Sequence, residues 1–148
     1  MSTRTVAIKL KIPDNEAYTA MTALRRLGVN CSKVERADVW MFEDAGGDHD
    51  FTERVERNES LFNPNKHELE VLREGKPRAG EAWIEALRDS PDEDDLDRIG
   101  RGIAGVLAGR HYVGWRLFAN SHVPADAQTV GAAVEKLLCN PAIERAIV

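Results

Sequence analysis

Gly100-Arg101-Gly102-Ile103-Ala104-Gly105 has the G-x-G-x-x-G spacing of a dinucleotide-binding loop. That chemistry needs a preceding strand, so that the glycines let a helix N-terminus meet a pyrophosphate. Here the hexapeptide follows Asp92, Glu93, Asp94, Asp95 and Asp97, whose charge repels phosphate. It reads instead as a helix whose small residues permit close packing. Asp48-His49-Asp50 offers metal-type side chains, but adjacent loop residues diverge, and a metal needs converging ligands. His67, His111 and His122 stand singly. Cys31 and Cys139 form no C-x-x-C, which excludes a zinc ribbon. Cys139 falls at the end of an expected helix, where the dipole disfavours a thiolate. Cys31 has Lys33 nearby but no paired histidine to activate it. No nucleophile elbow or P-loop is present. The sequence calls for no catalytic residue, no metal and no cofactor.

One segment resists a purely structural reading. Leu61-Phe62-Asn63-Pro64-Asn65-Lys66-His67 sets two large apolar residues beside a turn-forming Asn-Pro-Asn and two basic-type side chains. Leu61 and Phe62 are expected to anchor the segment. Asn63 and Asn65 turn the chain, and Lys66 and His67 form a polar rim for a partner.

Such a loop needs a host. The chain has 148 residues with a formal charge of −5, 43% apolar and 30% charged. That suits one α+β domain and argues against disorder. No apolar run reaches the length of a membrane span, no signal peptide is visible at Met1 to Thr5, and the two cysteines suit reducing cytoplasm. Residues 43–98 hold 18 acids and 8 bases, whereas the remainder holds 7 acids and 12 bases. Two compositions in one chain suggest an acidic insertion, residues 44–108, within a basic host. Without a Lys/Arg stripe or an aromatic strand pair, nucleic acid is not an expected partner.

The host pattern has two similar halves. Val6, Ile8, Leu10 and Ile12 alternate as a half-buried strand that Pro13 ends. Asp14 or Asn15 caps a helix bearing Ala17, Ala20, Met21, Leu24 and Leu27, and Gly28 stops it. Lys33 to Phe42 is a second strand, with a bulge expected near Arg36–Asp38 to reconcile Val34 with Val39 and Met41. His111 to Phe118 is a third strand. Pro124 and Asp126 open a helix whose stripe is Val130, Ala133, Val134, Leu137 and Leu138. Asn140-Pro141 ends that helix, and Ile143 to Val148 closes the fold. Two β-α-β units side by side give a ferredoxin-like β-α-β-β-α-β sandwich, helices on one face of an antiparallel sheet. The insertion reads as mainly helical: Glu53–Glu59, Glu68–Glu74, Glu81–Arg88 with Trp83, Ile84 and Leu87 on one side, and a helix bearing Leu96, Ile99, Ile103, Val106 and Leu107 behind the acidic cap Ser90 to Asp95. Trp40 and Phe42 share one face of the second strand. That face needs the insertion or a second copy to cover it, so a homo-oligomer is expected.

The run Glu135-Lys136-Leu137-Leu138-Cys139-Asn140-Pro141-Ala142-Ile143-Glu144 resembles the C-terminal helix of the PurS family, the small subunit of phosphoribosylformylglycinamidine synthase. The first half is similar too, with a Lys-bearing strand, a helix ending Ala23-Leu24-Arg25-Arg26-Leu27-Gly28-Val29, and Val34 to Glu43. The resemblance implies a non-catalytic subunit in de novo purine biosynthesis. Its partners would be a large ATP-using synthetase and a glutaminase, bridged for ammonia transfer. Asn140 and Pro141 are then helix-ending residues at a partner surface. The long insertion departs from the family pattern. A rival resemblance is to amino-acid-binding ACT modules, carried by Ile12-Pro13-Asp14-Asn15 and Leu27-Gly28-Val29-Asn30. It implies a small effector near the first loop, although Glu16 and Ala17 stand where a glycine usually opens that helix.

Overall fold

In the computed structural model, residues 2–88, 94–99 and 102–148 are described. The strands are β1 (Ser2–Leu10), β2 (Lys33–Asp44), β3 (His67–Leu72), β4 (Glu81–Ala86), β5 (Val106–Asn120), β6 (Val123–Pro124) and β7 (Glu144–Ile147). The α-helices are α1 (Asn15–Arg26), α2 (Phe51–Glu56) and α3 (Ala127–Ala133). A single 3-10 turn spans Asp95–Ile99. The expected α+β class is what the chain adopts. The strand order is β3-β1-β2-β5-β4-β7, with β6 beside β5.

Contacts divide the chain into two compact units. Unit 1 holds residues 1–12, 38–75 and 88–111; unit 2 holds 13–37, 76–87 and 112–148. The residues expected as one insertion are thereby shared out, 76–87 falling in unit 2 and the rest in unit 1.

In unit 1, β1 pairs antiparallel with β2 from Ser2↔Asp44 to Ile8↔Asp38, and with β3 from Thr5↔Leu72 to Leu10↔His67. β1 and β2 are direct antiparallel neighbours although a helix separates them in sequence. The register from Asp38 to Asp44 is unbroken. Val39 and Trp40, on opposite faces, are both buried. The apolar phase changes near Ala37 because the strand leaves unit 2 and enters unit 1 there. Val6, Ile8, Trp40 and Phe42 form one core with Phe51 and Val55 of α2, Leu61, Phe62, Ile99 and Ile103. Of the two covers expected for the Trp40–Phe42 face, the insertion or a second copy, the insertion supplies one, through α2 and the loop that follows it.

Unit 2 gives a different account of the halves. β4 pairs antiparallel with β5 on one side, Ala82↔Trp115 among the pairs, and with β7 on the other, Glu85↔Arg145 among them. β5 and β7 are therefore parallel across β4, and α3 joins them as a split crossover. The place between β5 and β7 is held by residues 81–86. α1 and α3 bury Ala17, Leu24, Val130, Ala133 and Leu138 against Val34, Ala82 and Leu117.

Two expected helices are strands. The stretch Glu68–Glu74 falls mostly on β3 and Glu81–Arg88 mostly on β4. Every residue from Glu81 to Glu85 is buried, so neither a helical nor an alternating pattern is imposed, and Trp and Ile favour the pleated form. Trp83 and Ile84 then point to opposite faces, and Leu87 is exposed. The helix expected to carry Leu96 to Leu107 is reduced to the 3-10 turn, and Val106 and Leu107 begin β5. Ser90 to Glu93 of the acidic cap, and Gly100 and Arg101 of the glycine-rich pattern, lie outside the described residues. Other signals hold. Asp14 caps α1 by accepting from the Glu16 and Ala17 N–H groups, Gly28 follows that helix at φ +86°, and Asp126 caps α3 through the Thr129 N–H.

Unit 1 is fastened by a buried charge cluster. The Arg54 Nη1 and Nη2 groups donate to Asp44 Oδ1 and Oδ2 at 2.8 and 2.9 Å. They also donate to the Ala104 carbonyl at 2.6 Å and the Gly47 carbonyl at 2.8 Å. Nε donates to Asp50 at 3.0 Å. All five guanidinium N–H groups are met. Arg4 Nε adds a bond to Asp44 Oδ2 at 2.7 Å and its Nη2 reaches Asp48. The Phe51 ring lies 5.2 Å from the Arg4 guanidinium carbon and 5.5 Å from that of Arg54. Gly46 and Gly105 press on the guanidinium: a Cβ at either would stand 2.7 or 2.8 Å from it. Gly105 also needs its φ of +83°, a conformation that costs a side-chain-bearing residue. The Arg54 bonds, opposing the effect of burial and helped by Arg4 and the Gly46 N–H, hold the Asp44 carboxyl well below the usual carboxylate range.

Two outcomes follow. Arg54→Ala strands a buried carboxylate and should destabilise the protein by about 3–5 kcal/mol, measured by urea unfolding. Because Asp44 is harder to protonate when folded, acid protonates it first in the unfolded chain. Its stabilisation is full above about pH 4 and is lost as the pH falls below that. Asp44→Asn should lower stability at neutral pH and flatten that acid slope; an unchanged slope would show that other carboxylates set it.

Candidate functional site

A concave site lies in unit 2, between α1, β5 and the end of the α3 segment. It is an open groove of about 420 Å³ lined by Asn15, Glu16, Thr19, Ala20, Ala23, Trp115, Leu137 and Leu138. The volume falls in the range of small-ligand sites. Its walls follow from local sequence. On α1, positions 16, 19, 20 and 23 recur at helical spacing, so they line one side. Ala20 and Ala23 keep that wall low. Trp115 lies on the helix-facing side of β5, opposite Ala82, and is half-buried.

The far wall depends on an irregularity. Beyond α3 the chain continues as a π turn, Val134–Leu138, closed by the Cys139 N–H donating to the Val134 carbonyl at 3.2 Å. Widening one turn rotates the residues after it. Leu138 stays buried, but Leu137 is left 41% exposed at the groove. The expected five-residue apolar stripe therefore fails at Leu137. Lys136 Nζ donates to the Leu27 carbonyl at 3.1 Å, tying this turn to the end of α1.

The polar end of the groove is held by Arg36. Its Nε meets the cap residue Asp14 at 3.3 Å and its Nη1 meets Glu16 at 3.3 Å. Asp14 thus serves α1 twice, as backbone acceptor and as half of an ion pair. Burial pushes the Cys31 thiol up, only partly offset by Arg25. Cys139 is pushed up by burial and then by Glu144. Neither cysteine is poised as a thiolate.

The partner-interface residues expected from sequence are dispersed. Trp40 and Phe42 stack with ring centres 5.6 Å apart inside the unit 1 core, each under 5% exposed. Leu61 and Phe62 lie in the same core. They anchor the loop as expected, and their side chains are covered by the chain itself. Asn63 directs the turn: its Oδ1 accepts from the Asn65 N–H at 2.9 Å, and its N–H donates to His67 Nδ1 at 3.0 Å. His67 is therefore the tautomer protonated at Nε2 and serves the turn rather than projecting as a rim. Asn65 and Lys66 are exposed, and Lys11 Nζ donates to the Pro64 carbonyl at 2.7 Å. Asn140 and Pro141 are exposed in unit 2. Asn140 Oδ1 accepts from the Ala142 N–H at 3.1 Å, and its N–H donates to Glu144 at 2.9 Å. That is the helix-ending role read from sequence.

Sequence reasoning did not single out Trp115 or Arg36. Trp115 looks like one apolar strand residue among several, and Arg36 seems to interrupt one. The missed signal was Asp14, whose carboxylate at a helix start needs a cation partner if it is half-buried. Among the described residues no group of three His, Cys, Asp or Glu side chains could hold a metal ion, and Asp48-His49-Asp50 is used otherwise, Asp48 with Arg4 and Asp50 with Arg54.

Asp14→Ala should cost about 1 kcal/mol of stability through the lost cap, read by thermal unfolding, whereas Asp14→Ser should keep the cap and lose only the Arg36 contact. A scan against protein-family models and a search of curated proteins return no match to this chain.

Proposed function

We propose that the chain works by binding rather than turnover, as a non-catalytic small subunit that joins larger subunits. The assembly would be of the phosphoribosylformylglycinamidine synthase kind in de novo purine biosynthesis. Its partners would be a synthetase subunit and a glutaminase subunit, bridged for ammonia transfer. The observation that carries this reading is the Leu137 to Glu144 run. It holds the residues that resemble the PurS family, and it presents Leu137, Asn140 and Pro141 at the surface of unit 2 beside an apolar groove. Surface apolar residues next to a rigid, hydrogen-bonded turn suit a partner interface. We read unit 2 as a ferredoxin-like sandwich whose first strand is supplied by residues 81–86, which supports the same assignment.

A second reading is favoured by the groove itself. Its volume, the Trp115 wall and the polar end at Asn15, Glu16 and Thr19 suit a small amphipathic effector bound at the start of α1. That is the position the ACT-like resemblance implies.

Reconstitution separates the two. The chain, a purified synthetase and a purified glutaminase should together support glutamine-dependent amidine formation. Omitting the chain should abolish it, and Leu137→Lys should reduce complex formation at least about tenfold, a loss near 1.4 kcal/mol. Full glutamine-dependent activity without the chain would sink the scaffold reading. A raised melting temperature with a free amino acid, removed by Trp115→Ala, would favour the effector reading instead.

A further inference from the structure

We propose that the open edge of β7 pairs antiparallel with β7 of a second copy, making a two-fold dimer centred on Ala146. Among the described residues the two ends of the strand order are β3 and β7. An edge strand presents unpaired backbone N–H and C=O groups, and proteins guard such edges with charge. β3 is guarded in that way. It carries Glu68 and Glu70, both exposed, and no Lys or Arg. Bringing two copies together would assemble four carboxylates. β7 carries Glu144 and Arg145, so its net charge is zero, and Arg145 is already turned to Glu85 of β4.

The backbone pattern identifies the groups on offer. The Leu87 N–H donates to the Ile143 carbonyl at 2.9 Å. Antiparallel ladders alternate, so Arg145 and Ile147 direct their backbone groups toward β4, whereas Glu144 and Ala146 direct theirs away. The Glu144 N–H is taken by the Asn140 carbonyl at 2.8 Å. Ala146 is left with both its N–H and its C=O on the open side. Two Ala146 residues facing each other exchange both bonds, and their methyl groups do not clash. The pairing sets Glu144 opposite the partner's Val148 and Arg145 opposite the partner's Ile147.

The flanks supply apolar surface. Ile143 is 61% exposed, Leu87 54% and Val148 72%, all on or beside the edge pair β4–β7. A second copy is the occupant that matches, because a two-fold axis through Ala146 joins identical, charge-neutral strands in register. The proposal is independent of the function proposed above and places self-association away from Trp40 and Phe42.

The test is the association state of the 148-residue chain by sedimentation equilibrium. A dimer is expected at micromolar concentration, and Ala146→Pro, which removes the outward N–H while leaving the β4 bonds, should weaken it at least about tenfold. A monomeric wild-type chain, or a dimer untouched by Ala146→Pro, overturns the proposal. A second measurement does not rely on proline being tolerated. In a Cys139→Ser background, Ala146→Cys places two thiols on Cα atoms about 5.5 Å apart, within reach of a disulfide. Oxidation should give a covalent dimer; its absence under conditions where the variant is folded overturns the pairing.

Discussion

A guanidinium cannot be taken out of water unless each of its N–H groups finds an acceptor, and the five of Arg54 find theirs in four separate stretches of chain. Those are the end of β2 at Asp44, the loop at Gly47, the start of α2 at Asp50 and the turn at Ala104. Satisfying the guanidinium therefore fixes the ends of those stretches together. Phe51, pressed under two guanidiniums, joins this polar cluster to the apolar core that holds Val6, Ile8, Trp40 and Phe42. The glycines at 46 and 105 follow as a requirement, since a side chain at either would occupy the space the guanidinium needs.

Unit 2 rests on a different principle. Its order is imposed by β4, every residue of which except the last is buried. A strand covered on both faces places few demands on pattern, so sequences suited to it can also resemble a buried helix. That is why Glu81 to Arg88 reads as helical from its Trp-Ile pair.

What was legible divides along these lines. Local signals were sufficient wherever a single residue decides the outcome: Asp14 and Asp126 as caps, Gly28 as a stop, Asn140-Pro141 as a break, and the anchoring of Leu61 and Phe62. The α+β class was legible because helical and alternating periodicities coexist. Pairing was not, because a helix between two strands is usually a parallel crossover, and only long-range packing makes β1 and β2 antiparallel neighbours. The groove was partly legible. The α1 wall can be read from helical spacing, but the exposure of Leu137 depends on a π turn that has no simple sequence mark. Asp44 and Arg54 are ten residues apart on different elements, and no helical or strand period relates them.

The interleaving of the two units bears on how the chain acquires its fold during synthesis. Each unit is assembled from three separated stretches, 1–12, 38–75 and 88–111 for one and 13–37, 76–87 and 112–148 for the other. Unit 1 has all its segments once His111 has left the ribosome, while unit 2 still lacks residues 112–148, with most of β5, α3 and β7 among them. During that interval α1 has only part of its core, and β4 stands without either of its neighbours, since its β5 partners are Val113 to Arg116. Closure across such sequence separations is slow relative to local helix formation. The nascent chain thus passes through a stage in which one core can close while the apolar side of α1 and both edges of β4 are bare, the kind of surface that chaperones bind.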